Sequence, residues 1–295
     1  MARGFLSAMA RLAGIAVGSR VPQGAALAVL ACLAAADATA APRRVVSMNV
    51  CTDQLAMLIA GEGQLYSVSN LAGDERTSVL ASQAGRYAVN NGFAEEIFMM
   101  KPDLVLAGTF TSQATVDLLK RLGFRVEQFA PASSFDDIRA DLIRMGSLLG
   151  REDRAASLVS KMDQDLEALR ARSVDAKSVA IYYANSYAAG TGTLADAVIR
   201  AAGLRNVGET LGAVGVVRLP LELLVLANPD LVVAGDANYR APALAMEAYA
   251  HPAFRALGSE AVASQGQYWI CGAPFTVEAA RLLQDAAIAS GRDSR

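Results

Sequence analysis

Residues able to grip a ligand recur just beyond short apolar runs of this 295-residue chain. Asn49 and Cys51 follow RVVSM, Asn70 follows LYSVS, and Thr109 and Phe110 follow LVLAG. Tyr187 comes after VAIYYANS, Asp236 after LVVAG, and Trp269 lies two residues before Cys271. Arg86, Tyr87 and Arg218 lie in the loops ahead of two similar apolar phrases. Aromatic rings stack on flat ligands and guanidinium pairs with carboxylates or phosphate, so this set suits a large, flat or anionic small molecule. Machinery for catalysis is thin. His251 is the only histidine, in an Ala-His-Pro setting that reads as a loop, and no G-x-S-x-G, H-E-x-x-H or post-strand G-x-G-x-x-G is found. A hydrolase using Cys51 with Asp53, or a serine of the second half, is the enzymatic alternative. With 27 basic and 29 acidic residues, net charge −2, nothing indicates a nucleic-acid partner.

The two apolar phrases are FAEEIFMMKPDLVLAG (93–108) and PLELLVLANPDLVVAG (220–235), which match at an offset of 127. Glu95/Glu222, Pro102/Pro229, Asp103/Asp230, Leu104/Leu231, Val105/Val232, Ala107/Ala234 and Gly108/Gly235 are identical pairs. Each copy reads as a short helix, a Pro-Asp break and a buried strand. An offset this large predicts two similar lobes and not a solenoid of short repeats.

The elements that must carry these residues alternate. Strands are expected at Arg44–Met48, Leu65–Val68, Leu104–Ala107 and Arg125–Phe129, with helices at 52–60, capped by Thr52 or Asp53, and at 111–122. The second half predicts strands at 179–183, 231–234 and 267–270, and helices at 194–202, 221–227 and 277–289. Such alternation argues for parallel sheets covered on both faces, whose strand carboxyl ends collect ligands. Between the halves, Ser133 and Ser134 with Asp136 and Asp137 form a capping-box-like start. Apolar residues then recur every three to four positions from Phe135 to Leu169, with Gly150 dividing two segments. A stiff helical connector follows from this. The organisation is a leader at 1–40, a first α/β lobe at 41–132, a connector at 133–174 and a second α/β lobe at 175–295.

The leader has Arg3, Arg11 and Arg20, an apolar run from Ala25 to Ala36, and Ala38-Thr39-Ala40. This is the pattern of a secretory signal peptide cleaved after Ala40. Met9 is an alternative start, and Val29-Leu30-Ala31-Cys32 loosely resembles a lipobox, with Cys32 as the lipid anchor. Cys51 and Cys271 would share an oxidising compartment. They could bridge the lobes, ligate a metal or remain inert buried thiols, and the inert state is the expectation.

Taken together, RRVVSMN, EEIFMMKPDLVLAG, the long central helix and the second lobe, over about residues 43–290, resemble the periplasmic binding proteins that feed ferric siderophores, haem and vitamin B12 to ABC importers. The resemblance implies an α/β fold of two doubly wound parallel-sheet lobes, joined by a long rigid α-helix, with the ligand cleft between them. It implies a periplasmic, non-enzymatic receptor with no cofactor or resident metal, whose cargo is a metal chelate. Its partners would be a permease dimer with ATPase subunits, and it would meet the membrane only through that permease or a lipid anchor. Glu95 and Glu222 would dock on arginines of the transporter. Leu71 and Gly108 replace aromatics of vitamin B12-binding members, and Tyr66 or Tyr87 is the trial axial ligand for haem. A periplasmic sensor or chaperone of the same fold is the alternative within the family.

Overall fold

A computed structural model describes residues 41–234, 245, 247–257, 260–263 and 266–290. The expected signal peptide, Cys32 and Asp236 lie outside them.

The first lobe is a five-stranded parallel sheet of β1 (Val45–Ser47), β2 (Leu65–Ser69), β3 (Ala88–Asn90), β4 (Leu104–Gly108) and β5 (Val126–Phe129), ordered β3-β2-β1-β4-β5. Its longer helices are α1 (Val50–Ile59), α2 (Ala94–Met100) and α3 (Gln113–Arg121). Every residue of β4 is buried, as a central parallel strand covered on both faces requires. Val45, Leu104 and Leu106 pack with Leu55 and Ile59 of α1, while Val46 and Val105 join Ile97 and Leu119 on the opposite face. Strand order reverses between β1 and β4, which opens a crevice beyond their carboxyl ends. The α1 cap is Asn49, whose side chain accepts from Cys51 N, and not Thr52 or Asp53. Thr52 instead bonds Ser47 and the Asn49 carbonyl, and Asp53 is committed to Ser69.

The connector is two helices and not one. Ser134 caps α4 (Phe135–Leu149) through Asp137 N, and the Asp137 carboxylate accepts from Ser133 N and Oγ one residue before the cap, a variant of the expected capping-box-like start. Gly150 ends α4 in the left-handed region at φ 63°, and α5 (Glu152–Arg170) folds back along it. A side chain at Gly146 would meet Ala155 Cβ at 2.5 Å, so glycine permits the close crossing. Arg139 pairs with Asp163 across the hairpin.

The second lobe holds β6 (Ser178–Tyr183), β7 (Tyr187–Ala189), β8 (Arg205–Asn206), β9 (Val216–Arg218), β10 (Leu231–Ala234) and β11 (Glu260–Ala263). Their order is β11-β10-β6-β7-β9, with β8 beside β6. Here the expectation of a wholly parallel sheet fails. Asn185 and Ser186, at φ 58° and 60°, turn the chain straight back, so β7 runs antiparallel to β6 and β9 antiparallel to β7. Among its helices are α6 (Leu194–Ala201), α7 (Leu221–Ala227), α8 (Gln267–Ile270) and α9 (Thr276–Ser290). The run expected as a final strand is therefore the single-turn helix α8, and β11 takes the sheet position. A four-residue run with three large apolar side chains is too short for its period to separate the two.

One core cluster runs through both lobes and the hairpin, from Val45 and Leu104 through Leu142, Met145 and Met162 to Val179 and Leu231. Cys51 of α1 is disulfide-bonded to Cys271, with Cα atoms 5.1 Å apart, which corrects the expectation of inert thiols. A Cβ on the neighbouring Gly272 would lie 2.5 Å from Ala132 Cβ and 2.9 Å from Ile138 Cγ1, so the chain of the second lobe is seated directly against the first. The bridge closes a sequence separation of 220 residues. Chain entropy alone assigns such a loop about 5 kcal/mol, an upper figure given how often strain and residual structure reduce it. Urea unfolding with and without reductant should show a loss of about 2–5 kcal/mol on reduction. Identical midpoints would mean that the bridge does not constrain the unfolded chain.

Candidate ligand-binding site

At the reversal between β1 and β4 lies a recess of about 110 Å³. Asn49, Gly108, Thr109 and Phe110 line it from the strand ends, Pro131 and Asp141 from the connector side, and Ile270 and Gly272 from the second lobe. Cys51 stands in the wall, so the disulfide seam and the recess share residues. Small-molecule sites span roughly 300–1,000 Å³, so the recess accommodates one part of a ligand. The remainder would extend between the lobes.

Local sequence explains this geometry. Asn49 spends its Oδ1 on Cys51 N at 2.9 Å, which fixes the side chain. Its Nδ2 lies 3.1 Å from where a Cβ of residue 108 would stand, so a side chain there would press on the Asn49 amide. Thr109 N bonds the Phe129 carbonyl and holds the β4 end to β5. Phe110 is 87% exposed, a ring with its face available. Beneath the floor, buried Asn90 donates to Ser47 O and Ser67 Oγ, joining three strands.

Asp141 was not picked out by the sequence reading, yet it is the one titrating side chain of the recess among the described residues. Half-burial raises its pKa to about 6, against the opposing pull of Arg144 and with a smaller push from Asp137. Its signal in the sequence was an acid set directly beside Leu142 in the apolar stripe. Asp53, one turn into α1, is more deeply buried. Desolvation lifts its pKa to about 7, although Ser47 and both Ser69 groups bond it, and its Oδ1 has no partner.

The other expected residues are distributed. Asn70 opens a turn at the end of β2 and meets Asn91, outside the recess. Arg86 and Tyr87 precede β3, level with Tyr66 of β2 and so towards the amino ends of the parallel strands. Tyr66 itself lies under Arg44, 3.5 Å from guanidinium carbon to ring centre, at the amino end of β2. Tyr187 and Arg218 are register partners on β7 and β9, at the carboxyl end of β6. Trp269 sits on α8, half-buried against the shared core. His251 Nδ1 accepts from Ala253 N and caps the short helix Pro252–Arg255, the loop role its context suggested. Glu95 and Glu222 are both exposed in the first turns of α2 and α7.

Comparison with known proteins agrees with this architecture. The family described as "Periplasmic binding protein" matches residues 45–266. A cobalamin-binding protein of Halobacterium salinarum is 29% identical over 214 residues, 69% of this chain and 57% of the relative. An uncharacterised ABC transporter substrate-binding lipoprotein of Bacillus subtilis, YvrC, is 25% identical over 206 residues, 66% of this chain and 64% of its own length. The chain thus spans about six-tenths of these curated relatives. The periplasmic vitamin B12-binding protein BtuF of Vibrio cholerae superposes with a TM-score of 0.65 at 17% identity, over 85% of this chain and 98% of that one. The haem-binding protein HutB of the same organism gives 0.67 at 18%, over 82% and 98%. At these identities the structural likeness speaks for the fold alone.

The two raised carboxyls set a pH dependence. Each binds a proton in the folded state over a range where the unfolded chain has lost it, from about pH 4 up to about 6 for Asp141 and about 7 for Asp53. Their contribution to stability is full below this window and is lost as pH rises through it. For Asp53 the loss is on the order of 4 kcal/mol. Asp53→Asn should therefore flatten the dependence, so that the difference between parent and variant in urea unfolding shrinks in the parent's disfavour from pH 4.5 to 7.5. A parent that gains on the variant as pH rises would contradict the assignment.

Proposed function

The chain belongs to the periplasmic binding protein family, and on that premise we propose that it is an extracytoplasmic receptor that captures a metal chelate between its lobes and delivers it to an ABC importer. The observation that carries this reading is the recess at the strand-order reversal, walled by both lobes and by no catalytic constellation among the described residues. Asn49 and Thr109 supply hydrogen-bonding groups on the first lobe, and Phe110 supplies a face for stacking. Tyr187 and Arg218 supply a ring and a cation at the carboxyl end of the second sheet. The printed descriptions of the relatives, one a cobalamin-binding protein and one an importer's substrate-binding lipoprotein, support the cargo class and the partner. Export follows from the signal-peptide pattern of residues 1–40.

Capture proceeds with little lobe closure, because the disulfide, the Gly272 contact and the continuous core oppose hinge motion. Release then needs work from outside, and ATP hydrolysis by the importer provides it. A sensor or chaperone of the same fold would use the recess in the same way but would have no use for Glu95 and Glu222 as docking acids.

Two measurements separate the readings. Thermal shift of the purified protein against haem, cyanocobalamin, ferric citrate and ferric hydroxamate and catecholate siderophores should give at least one clear responder. A ligand at 100 times its Kd adds about 2.7 kcal/mol, and silence across the set would remove the chelate claim. Glu95→Arg with Glu222→Arg should abolish cellular uptake while leaving that thermal shift in place. Undiminished uptake would move the sensor reading to the front.

A further inference from the structure

We infer that Met99 and Leu226, with Glu95 and Glu222, form two matched docking pads, each a carboxylate followed one turn later by an exposed apolar side chain, for the membrane-spanning subunits of a twofold importer. The inference rests on the receptor reading above and adds a second chemical component to the docking surface. Its starting point is the repeated phrase, most of which the fold explains. Pro102 and Pro229 are buried, as are Ile97 and Leu224, the residues that seat α2 and α7 on their sheets. Asp103 accepts from Arg43 N at 2.7 Å and Arg44 N at 3.0 Å; Asp230 accepts from Ser178 N at 2.6 Å and Ser178 Oγ at 2.7 Å. In both lobes this aspartate ties the helix exit to the entry of the neighbouring strand. Lys101 and Asn228 then end both helices in the left-handed region, at φ 50° and 42°.

Four residues of the phrase have no such duty. Glu95 and Glu222 make no ion pair or hydrogen bond among the described residues, and Met99 and Leu226 are 73% and 80% exposed. Each acid stands four positions before its apolar partner, hence on the same helix face. A single exposed Met or Leu needs no explanation. The same acid-apolar pair in the same register on two lobes does, because the surrounding sheets differ and impose no common surface. In the first lobe the pair borders an apolar groove of about 400 Å³ between α2 and α3, lined also by Phe98, Leu118 and Leu122.

Charge decides the occupant. A second copy of this chain would bring carboxylate against carboxylate, and an anionic lipid surface would be repelled in the same way. What fits both pads at once is a partner presenting a basic group beside an apolar side chain, twice, related by a twofold axis.

A photo-reactive phenylalanine analogue placed in turn at positions 95, 99, 222 and 226 of the full chain, with exposed Ile143 on the connector as control, tests this in cells that make the protein. Positions 99 and 226 should cross-link to the same membrane-spanning importer subunit as 95 and 222, identified by mass spectrometry, and position 143 should not. If only 95 and 222 reach it, or if 99 and 226 capture a second copy of the chain, the apolar component is overturned and the receptor reading survives. If none of the four reaches an importer, both fall together. The double variant Met99→Ser with Leu226→Ser should weaken binding to membranes carrying that subunit by about tenfold, with thermal unfolding and the cargo-induced shift unchanged. Unaltered affinity would overturn the inference.

Discussion

The seam between the lobes is the constraint on which the rest of the molecule depends. Two α/β lobes joined by a connector are free to move unless something larger than a domain contact opposes it, since interfaces within a chain are ordinarily modest. Here three things oppose it at one place. The Cys51–Cys271 bridge spans the gap, Gly272 lies against Ala132 and Ile138 with no room for a side chain, and a single apolar cluster runs through both sheets. Because Cys51, Ala132 and Gly272 also line the recess, the distance between its walls is set by the same contacts that hold the protein together.

That coupling explains why the site is built from backbone-fixed groups. Asn49 is immobilised by its cap bond and Thr109 by its bond to β5. A receptor that closes little on its ligand cannot recruit side chains on binding, so the complementarity has to exist beforehand. The cost appears underneath, in the buried Asp53, whose carboxyl is pushed up to about 7 by burial. It connects α1 to the end of β2 through Ser69 and so fixes the floor on which Asn49 rests.

How much of this could be read from the sequence depended on the range of the interaction. Four strands of the first sheet, the Ser133–Asp137 cap, the helix break at Gly150 and the α7–β10 phrase were legible because periodicity, capping and glycine act within a few residues, whereas the three-residue edge strand β3 is too short to show a period. The reversal at Asn185–Ser186 was not, because two non-glycine residues at positive φ leave no mark in composition. From that one turn followed the mixed second sheet. The folding of the connector into a hairpin was only half visible: the break could be read, but the close packing of Gly146 on Ala155 depends on residues brought together in space. The disulfide was one of three readings open for Cys51 and Cys271, and Asp141 was marked only by its place beside Leu142; both needed contacts formed in space to be decided. Of the expected ligand residues, Asn49, Cys51, Thr109 and Phe110 line the recess because the strand-end rule located them, whereas Arg86 and Tyr87 were drawn from loops to which that rule does not apply.

The two lobes also differ and agree in an informative way. At the carboxyl ends of their sheets they are unlike: the first presents an amide, a hydroxyl and a phenyl ring from parallel strand ends, the second a tyrosine and an arginine from an antiparallel ribbon. On α2 and α7 they agree where it bears on the surface: Glu95/Glu222 and Met99/Leu226 are exposed, Ile97/Leu224 are buried, and both helices end in the left-handed region at Lys101 and Asn228. Packing cannot account for the likeness, since helices of similar length seat themselves on sheets with many different exposed faces. An asymmetric cargo places no symmetry demand on the walls that hold it, whereas a twofold partner demands the same chemistry from both lobes. The division between unlike and like surfaces is therefore what a receptor needs if it reads an asymmetric ligand on one face and a symmetric machine on another.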